Sequence, residues 1–424
     1  MKHVVIREAY DWLLCNEEIK NGLTLTEWDH LLHFLEDSYN GEQVVEYANQ
    51  KIRFINLVGV IQLKTVRIEI LPKIDLTHDD EVLNRRALLN MLSVAKKLPI
   101  ELTDQTLSQF EKVDLLHIIA RLYIMELMNT LNRGIYREYQ GKVENISTLK
   151  GRLLVSDHLR FNYRRSANAY CEFDELTPNI FLNQVLKAAL NIVFLYVQHS
   201  PLKISLMNGL EMLEEVEDCF ISKEKLAQIQ LNRQNKHYEK TLQLAKAILQ
   251  STSMSSEKNQ QIAFAFLFKM NDLYETYIGE VLKRLLISTP YEVKLQHTAK
   301  KLLENVYTGR ENILLKPDFV IETKEEEAKI IIDTKWKSVI VDGRKNYKQS
   351  DIYQMYAYIT TYKSADRCIL LYPKTNEEAS LPKWKVPEYF PEKYIEVETV
   401  RLDRVNHTMD DLGVMLRGIW EGEI

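Results

Sequence analysis

The stretch ILLKPDFVIET (313–323), the charged turn KEEEA (324–328) and the stretch KIIIDTKWK (329–337) decide how this chain is read. Both flanking stretches have the character of β-strands, and so short a turn lays them side by side. The triple Ile330–Ile331–Ile332 marks a strand buried on both faces. Asp318 and Asp333 therefore come close together at the end of a core sheet. Two residues apart on a strand, Asp333 and Lys335 project to one face, and Thr334 and Trp336 to the other. Clustering carboxylates is costly unless a cation neutralises them. Two carboxylates beside a lysine suit Mg²⁺ facing a phosphate, because magnesium takes few protein carboxylates and keeps waters for the substrate. Such an ion activates water and shields phosphate charge, and a lysine can orient that water or support the developing charge. Spacing alone also allows a plainer reading, since Pro-Asp is a common turn and Asp-x-Lys a common tripeptide.

Working outward, a helical pattern covers 262–287 and a strand 291–297. A second helix covers 349–363, a strand 367–373, a further strand YIEVETVRL and a terminal helix follow. The order is α-β-β-β-α-β, so the class is α/β here and α+β over the whole chain. Glu275 lies on the first helix. Gln354 and Tyr358 share a face of the second as an i, i+4 pair, with Asp351 beside them. A glutamine and a tyrosine so placed suit a groove for nucleic acid, although an exposed helix acid and amphipathic packing are the ordinary roles of such residues. The run Lys335, Lys337, Arg344, Lys345 and Lys348 could track a DNA backbone; an ordinary solvated loop fits it equally.

Upstream, HVVIRE reads as a strand, and TLTEWDHLLHFLEDSY as a helix capped at Thr26. KIRFINLVGVIQLKTVRIEILPKI (51–74) reads as strands turning near Gly59 and Lys64–Thr65 and ending at Pro72. Helices follow to Gly134, a C-cap, then an irregular 135–178 with short strand-like pieces, then helices to 250. The Ser-rich QSTSMSSEKNQQ (250–261) marks a boundary. It divides 1–255 from 256–424, and the second part, with a contiguous core, is expected to fold alone.

Composition narrows the classes. Of 424 residues, 46% are hydrophobic, ample for a core, which excludes a disordered chain. A net charge of −5 excludes a uniformly basic nucleic-acid binder but not a local basic groove. The four cysteines are far apart with no CxxC pair, against a zinc ribbon and against disulfides. No cleavable signal and no apolar run of membrane length is read, so a cytoplasmic location is expected. No GxxxxGK[ST] loop occurs, so no nucleotide site of its own is expected.

Asp318 and Asp333 are 15 positions apart within the α-β-β-β-α-β frame, with KPD at 316–318 and DTK at 333–335. This resembles the PD-(D/E)xK nuclease core, and Gln354-xxx-Tyr358 resembles the QxxxY element of its RecB-like branch. More narrowly, FKMNDLYETYIGEVL (268–282), LKPDFVI (315–321), IIDTKWK (331–337) and DIYQMYAY (351–358) resemble the C-terminal half of the McrC nuclease subunits of McrBC restriction systems. IEILPKI (68–74), LNRGIYREY (131–139), LKGRL (149–153) and FDELTPNIFLNQVLKAAL (173–190) extend that resemblance over most of the chain. The resemblance implies a Mg²⁺-dependent DNA endonuclease subunit in which 1–255 docks on an McrB-like AAA+ GTPase ring and stimulates it, while 256–424 cuts. Asp318, Asp333 and Lys335 match the catalytic positions, and Glu275 the helix acid by location. The backbone carbonyl of Thr334 joins the metal site. The third motif residue is Asp where Glu is also found. A stand-alone RecB-like repair nuclease and a non-catalytic GTPase-activating scaffold are the competing readings.

Overall fold

The fold was obtained as a computed structural model that describes residues 2–16, 18–19, 21–39, 42–74, 81–164, 167–197, 201–253, 263–325, 327–341, 344–375, 380–389 and 391–420. Side-chain surroundings are further undescribed at a few of these positions, Arg344 among them, and most of the Ser-rich stretch lies outside the described residues. Two compact units emerge, one of Met1–Leu115 with Ser253–Ile424, the other of Leu116–Thr252. The change of unit at 252–253 falls close to the expected boundary. The first 115 residues, however, belong with the C-terminal part, whereas the sequence reading grouped them with 116–255.

The most extensive link is one strand. In the first unit, β1 (Lys2–Arg7) runs parallel to β3 (Val66–Leu71), and β3 is antiparallel to β2 (Leu57–Gln62). The next strand in this sheet is β4 (Ala263–Lys269), antiparallel to β2 with Phe264 opposite Gln62. The sequence reading made AFAFLFK the start of a helix; its Phe264, Phe266 and Phe268 alternate at period two and it is a strand. Gly59 is likewise inside β2, not at a turn. Its φ is +134°, and a Cβ there would lie 1.9 Å from the carbonyl oxygen of Phe266, so only glycine lets β4 approach. The helix Leu25–Tyr39 packs Leu31, Phe34 and Leu35 into the apolar cluster of this sheet. Its cap is Thr24, two residues before the expected one: Thr24 Oγ1 accepts from Glu27 N–H at 3.3 Å while Glu27 Oε2 accepts from Thr24 N–H at 3.0 Å.

Immediately after β4 comes helix α1 (Met270–Leu286), then a sheet of six strands. Its strands are β5 (Tyr291–Leu295), β6 (Phe319–Thr323), β7 (Ala328–Thr334), β8 (Arg367–Pro373), β9 (Lys383–Val386) and β10 (Lys393–Val400). Their spatial order is β5-β6-β7-β8-β10-β9, parallel at β7–β8 and β8–β10 and antiparallel elsewhere. Helix α2 (Gln349–Thr361) makes the crossover from β7 to β8, and α3 (Val405–Trp420) follows β10. Apart from two inserted hairpins, Lys301–Glu304 with Glu311–Leu314 and Ile340–Val341 with Arg344–Lys345, the elements from α1 to β8 run helix, three strands, helix, strand. Pro317 breaks the expected strand 313–323 in two, because it offers no amide to a ladder.

Helix α1 is fixed from both sides. Asn90, on the helix Glu81–Val94, donates to Tyr277 Oη at 3.0 Å and to the Leu402 carbonyl at 2.8 Å. Tyr277 Oη lies 2.6 Å from Thr408 Oγ1. On the opposite face Gly279 lets α1 lie close on β6; a Cβ there would be 3.0 Å from the Phe319 ring. That contact sets the height of Glu275 above the sheet.

The second unit contains the helices Phe181–Val197, Lys203–Met212 and Glu239–Gln250. It also carries a long antiparallel ribbon, Glu138–Ile146 against Ala169–Thr177, paired from Glu138 with Thr177 to Ile146 with Ala169. The sequence reading made this region irregular. The strand Glu138–Ile146 is exposed along most of its length, so it lacks the apolar alternation that marks a half-buried strand.

Candidate active site

The ends of β6 and β7 bring the two acids together. Asp318 stands just before β6, held there because its carbonyl accepts the Gln296 N–H at 2.8 Å. Its Oδ2 accepts from Thr334 twice, from the backbone N–H at 2.7 Å and from Oγ1 at 2.6 Å. That oxygen is saturated, and Oδ1 is left for another partner. Asp333 lies at the C-terminal end of β7, between β6 and β8, and is 2% exposed. Burial, together with the nearby charge of Asp318 and against the pull of Lys335, pushes its carboxyl up to about 6.

Lys335 forms an ion pair with Asp333 Oδ2. That oxygen is fully buried and receives no well-oriented hydrogen bond. Burial acts to lower the Lys335 pKa, and Asp333, Asp318 and Asp351 outweigh it, so the ammonium is held above its ordinary value. The Lys335 N–H donates to the Leu371 carbonyl at 3.0 Å, extending the β7–β8 ladder past its last paired residues.

From α2, Gln354 reaches the same point. Its Nε2 lies 3.3 Å from Asp333 Oδ1 and 2.7 Å from Tyr358 Oη, and its Oε1 accepts from Lys335 Nζ at 3.3 Å. One amide thus orients both members of the Asp–Lys pair. Tyr358 is 3% exposed and packs in the apolar cluster under the site, with its hydroxyl on Gln354. Glu275 faces the site from α1. Burial raises its pKa, a hydrogen bond from Gln296 at 2.9 Å opposes this, and the charges of Asp318 and Asp272 add to the rise.

The basic run does not behave as one patch. Lys337 is tied to Asp351 at 2.5 Å and lies over the Tyr372 ring at 5.8 Å. Asp351 also accepts from the Lys348 backbone N–H at 3.3 Å, closing the start of α2. Lys345 and Lys348 are exposed. Arg344 pairs through its backbone with Val341.

Two residues here, Gln296 and Trp336, had no catalytic or binding role in the sequence reading, and Thr334 had one only through its carbonyl. Gln296 holds both Asp318 and Glu275. Trp336, expected only to face away from Asp333, donates its indole N–H to buried Glu8 at 2.6 Å. Thr334, expected to contribute its carbonyl, also gives its N–H and hydroxyl to Asp318. Neither Gln296 nor Trp336 is marked by a short motif, and these contacts are found only once the strand ends are paired.

Among the described residues no group of three or more His, Cys, Asp or Glu is arranged to hold a metal. A magnesium site does not need three, since one or two carboxylates with waters suffice. Asp318 and Asp333 fit that pattern: one free oxygen on the first, and on the second a buried oxygen whose charge is costly without a cation. What the arrangement can do is gather a divalent cation at the two acids while an ammonium stands beside it.

Comparison with known proteins agrees with the motifs. The family model described as McrBC 5-methylcytosine restriction system component matches residues 52–373. The Type IV methyl-directed restriction enzyme EcoKMcrBC of Escherichia coli (strain K12) is 19% identical over 299 residues, 67% of this chain and 83% of that protein. A chain of the refined half-complex from the tetradecameric assembly of Thermococcus gammatolerans McrB AAA+ hexamers with bound McrC superposes with a TM-score of 0.72. It is 18% identical, and 98% of this chain and 100% of that one are covered. A chain of the Thermococcus gammatolerans McrBC complex gives 0.51 at 20% identity, over 67% and 88% of the two chains. With three quarters of its length matched by one family model, this chain belongs to the McrBC 5-methylcytosine restriction system component family.

Proposed function

We propose that the protein is the Mg²⁺-dependent DNA endonuclease subunit of a GTP-dependent restriction complex, built on a PD-(D/E)xK core. The observation that carries this reading is the pairing of Asp318 and Asp333 at adjoining strand ends with Lys335 on Asp333. Asp318, through Oδ1, and Asp333 would hold the ion, with the Thr334 carbonyl as a further ligand and Glu275 facing the same point. When bound, Mg²⁺ lowers the pKa of water and shields negative charge on the phosphate. Lys335 places a positive charge beside the reacting phosphate and supports the charge that develops there. Gln354 keeps that ammonium and Asp333 in register. Lys345 and Lys348, both exposed, sit on the segment leading into α2, where they would meet the DNA backbone, with Lys337, Arg344 and Tyr358 supporting that edge.

The family membership and the likeness to a chain from an McrB AAA+ assembly with bound McrC support the second half of the reading. The protein docks on an McrB-like GTPase ring and stimulates it. The docking part lies within residues 1–255 and the catalytic residues within 256–424, with 1–115 completing the unit that carries them, in a cytoplasmic complex.

The test is Asp333→Ala in the complex reconstituted with the partner ring. DNA cleavage is expected to vanish while ring binding and GTPase stimulation persist, since the change touches one strand end. Cleavage by a folded Asp333→Ala protein would remove the site assignment.

A further inference from the structure

Away from the carboxylate pair, one buried acid has no part in the chemistry above. Glu8 follows β1 and is 0% exposed. Its own N–H donates to the Leu71 carbonyl at 2.9 Å, so its backbone belongs to the N-terminal sheet. Its two carboxylate oxygens have separate tasks. Oε1 accepts the indole N–H of Trp336 at 2.6 Å, and Oε2 accepts the backbone N–H of Asn56 at 3.2 Å. Lys73 Nζ, 3.8 Å from Oε1, is the facing cation.

Each partner leads to a different wall of the candidate active site. Trp336 is the residue after Lys335, and its ring tilts against Tyr274 at 5.4 Å. Tyr274 precedes Glu275 on α1. Asn56 secures the start of that helix, since its carbonyl accepts from Met270 N–H at 3.1 Å and its Oδ1 from Asn271 N–H at 2.7 Å. Burying a carboxylate is costly unless hydrogen bonds and a nearby cation compensate, and Glu8 has both. Its hydrogen bonds fix, from one point, the strand end that carries Lys335 and the helix that carries Glu275.

We infer that Glu8 is a positioning residue of the nuclease centre, through which the N-terminal sheet holds Trp336, and so Lys335, in the working geometry. This inference rests on the nuclease reading. It assigns Glu8 no contact with DNA or metal; it acts through the indole.

The test uses the full chain and four variants: Glu8→Gln, Glu8→Ala, Trp336→Phe and the double Glu8→Ala/Trp336→Phe. Three measurements are made on each: the indole ¹H–¹⁵N signals, Mg²⁺ affinity by calorimetry, and DNA cleavage in the reconstituted complex. The Trp336 signal, identified by its loss in Trp336→Phe, is expected to move in Glu8→Ala. Cleavage is expected to fall about 10- to 100-fold in Glu8→Ala and in Trp336→Phe, and no further in the double. Glu8→Gln, which keeps an acceptor for the indole, is expected to recover most of the rate, and Mg²⁺ affinity to stay within about threefold throughout. Additive losses, an unmoved Trp336 signal, or full cleavage by Trp336→Phe would each overturn the inference. Trp336→Phe removes the indole N–H with part of the ring and leaves Glu8 in place, so full cleavage by it decides against the inference even if Glu8→Ala does not fold. Cleavage surviving in Asp333→Ala would bring down the nuclease reading and this inference with it, while an intact Asp333 dependence with additive losses would bring down the inference alone.

Discussion

Thr334 gives both its backbone N–H and its hydroxyl to one oxygen of Asp318, Oδ2, at 2.7 and 2.6 Å. The adjacent strand end thereby fixes the rotation of the Asp318 carboxylate and turns Oδ1 outward. Thr334→Val keeps the shape and the N–H but loses the hydroxyl bond. Mg²⁺ affinity is expected to fall roughly 10-fold, the usual cost of removing a group that orients a ligand. Thr334→Ser should restore it. Calorimetric titration of the three proteins measures this, and equal affinities would show that the backbone N–H alone holds Asp318.

Asp333 dictates a pH dependence. Its carboxyl is pushed from 3.8 to about 6 by burial and by Asp318. A raised value means that the metal-free fold is best served below about 4, where the group is neutral in both folded and unfolded states, and loses that contribution as pH rises through about 6. Cation binding needs the ionised form, so affinity should climb with pH up to about 6 and level off above it, with a proton released on binding below that point. Titrations at pH 5 in two buffers of different ionisation enthalpy would reveal the proton. Asp333→Asn should abolish its release.

Lys335 competes for the same carboxylate that the cation needs. Lys335→Met is expected to leave Mg²⁺ affinity equal or tighter, yet to cut the cleavage rate by about 10²–10³, the scale of losing one preorganised charge at a developing anion. Affinity lost in step with rate would instead make Lys335 a structural support of the acid pair.

A fragment starting near residue 256 should not behave as an independent nuclease. It keeps the six-stranded sheet, but it strips β4 of its neighbour β2, takes Asn90 from Tyr277 and leaves the Trp336 indole without Glu8. The expected result is loss of a cooperative thermal transition or aggregation, seen by calorimetry and light scattering. A sharp transition at the temperature of the full chain would show that the N-terminal sheet contributes nothing to the second core.

The motif strands were readable because their chemistry is local. Ile330–Ile332 followed by Asp333-Thr-Lys335 states burial, then charge, within six residues, and Gln354 with Tyr358 needs only helical spacing. What escaped was non-local. AFAFLFK is apolar at every position before its lysine, so helix and buried strand look alike until the partner strand is known. Gly59 resembled a turn residue, and its reason for being glycine is the approach of a strand far away in sequence. The Glu8–Trp336 bond joins residues that no window could hold together, and the ribbon around Glu138–Ile146 is too polar to announce itself.

The pairing of Phe264 with Gln62 joins positions about 200 residues apart, a separation that adds little to the equilibrium cost of closure but much to the time taken to reach it. On the ribosome, β2 and β3 emerge early and wait with an open apolar edge while the whole of the second unit is made, and such a waiting edge invites sticking to other chains. The strand that closes it is followed directly by the helix bearing Glu275, and only later by both aspartates. A translation product cut short before residue 263 is thus left with an unsealed sheet and no acids to work with. Asp318, Asp333 and Lys335 are made only after the strand that can close the N-terminal sheet.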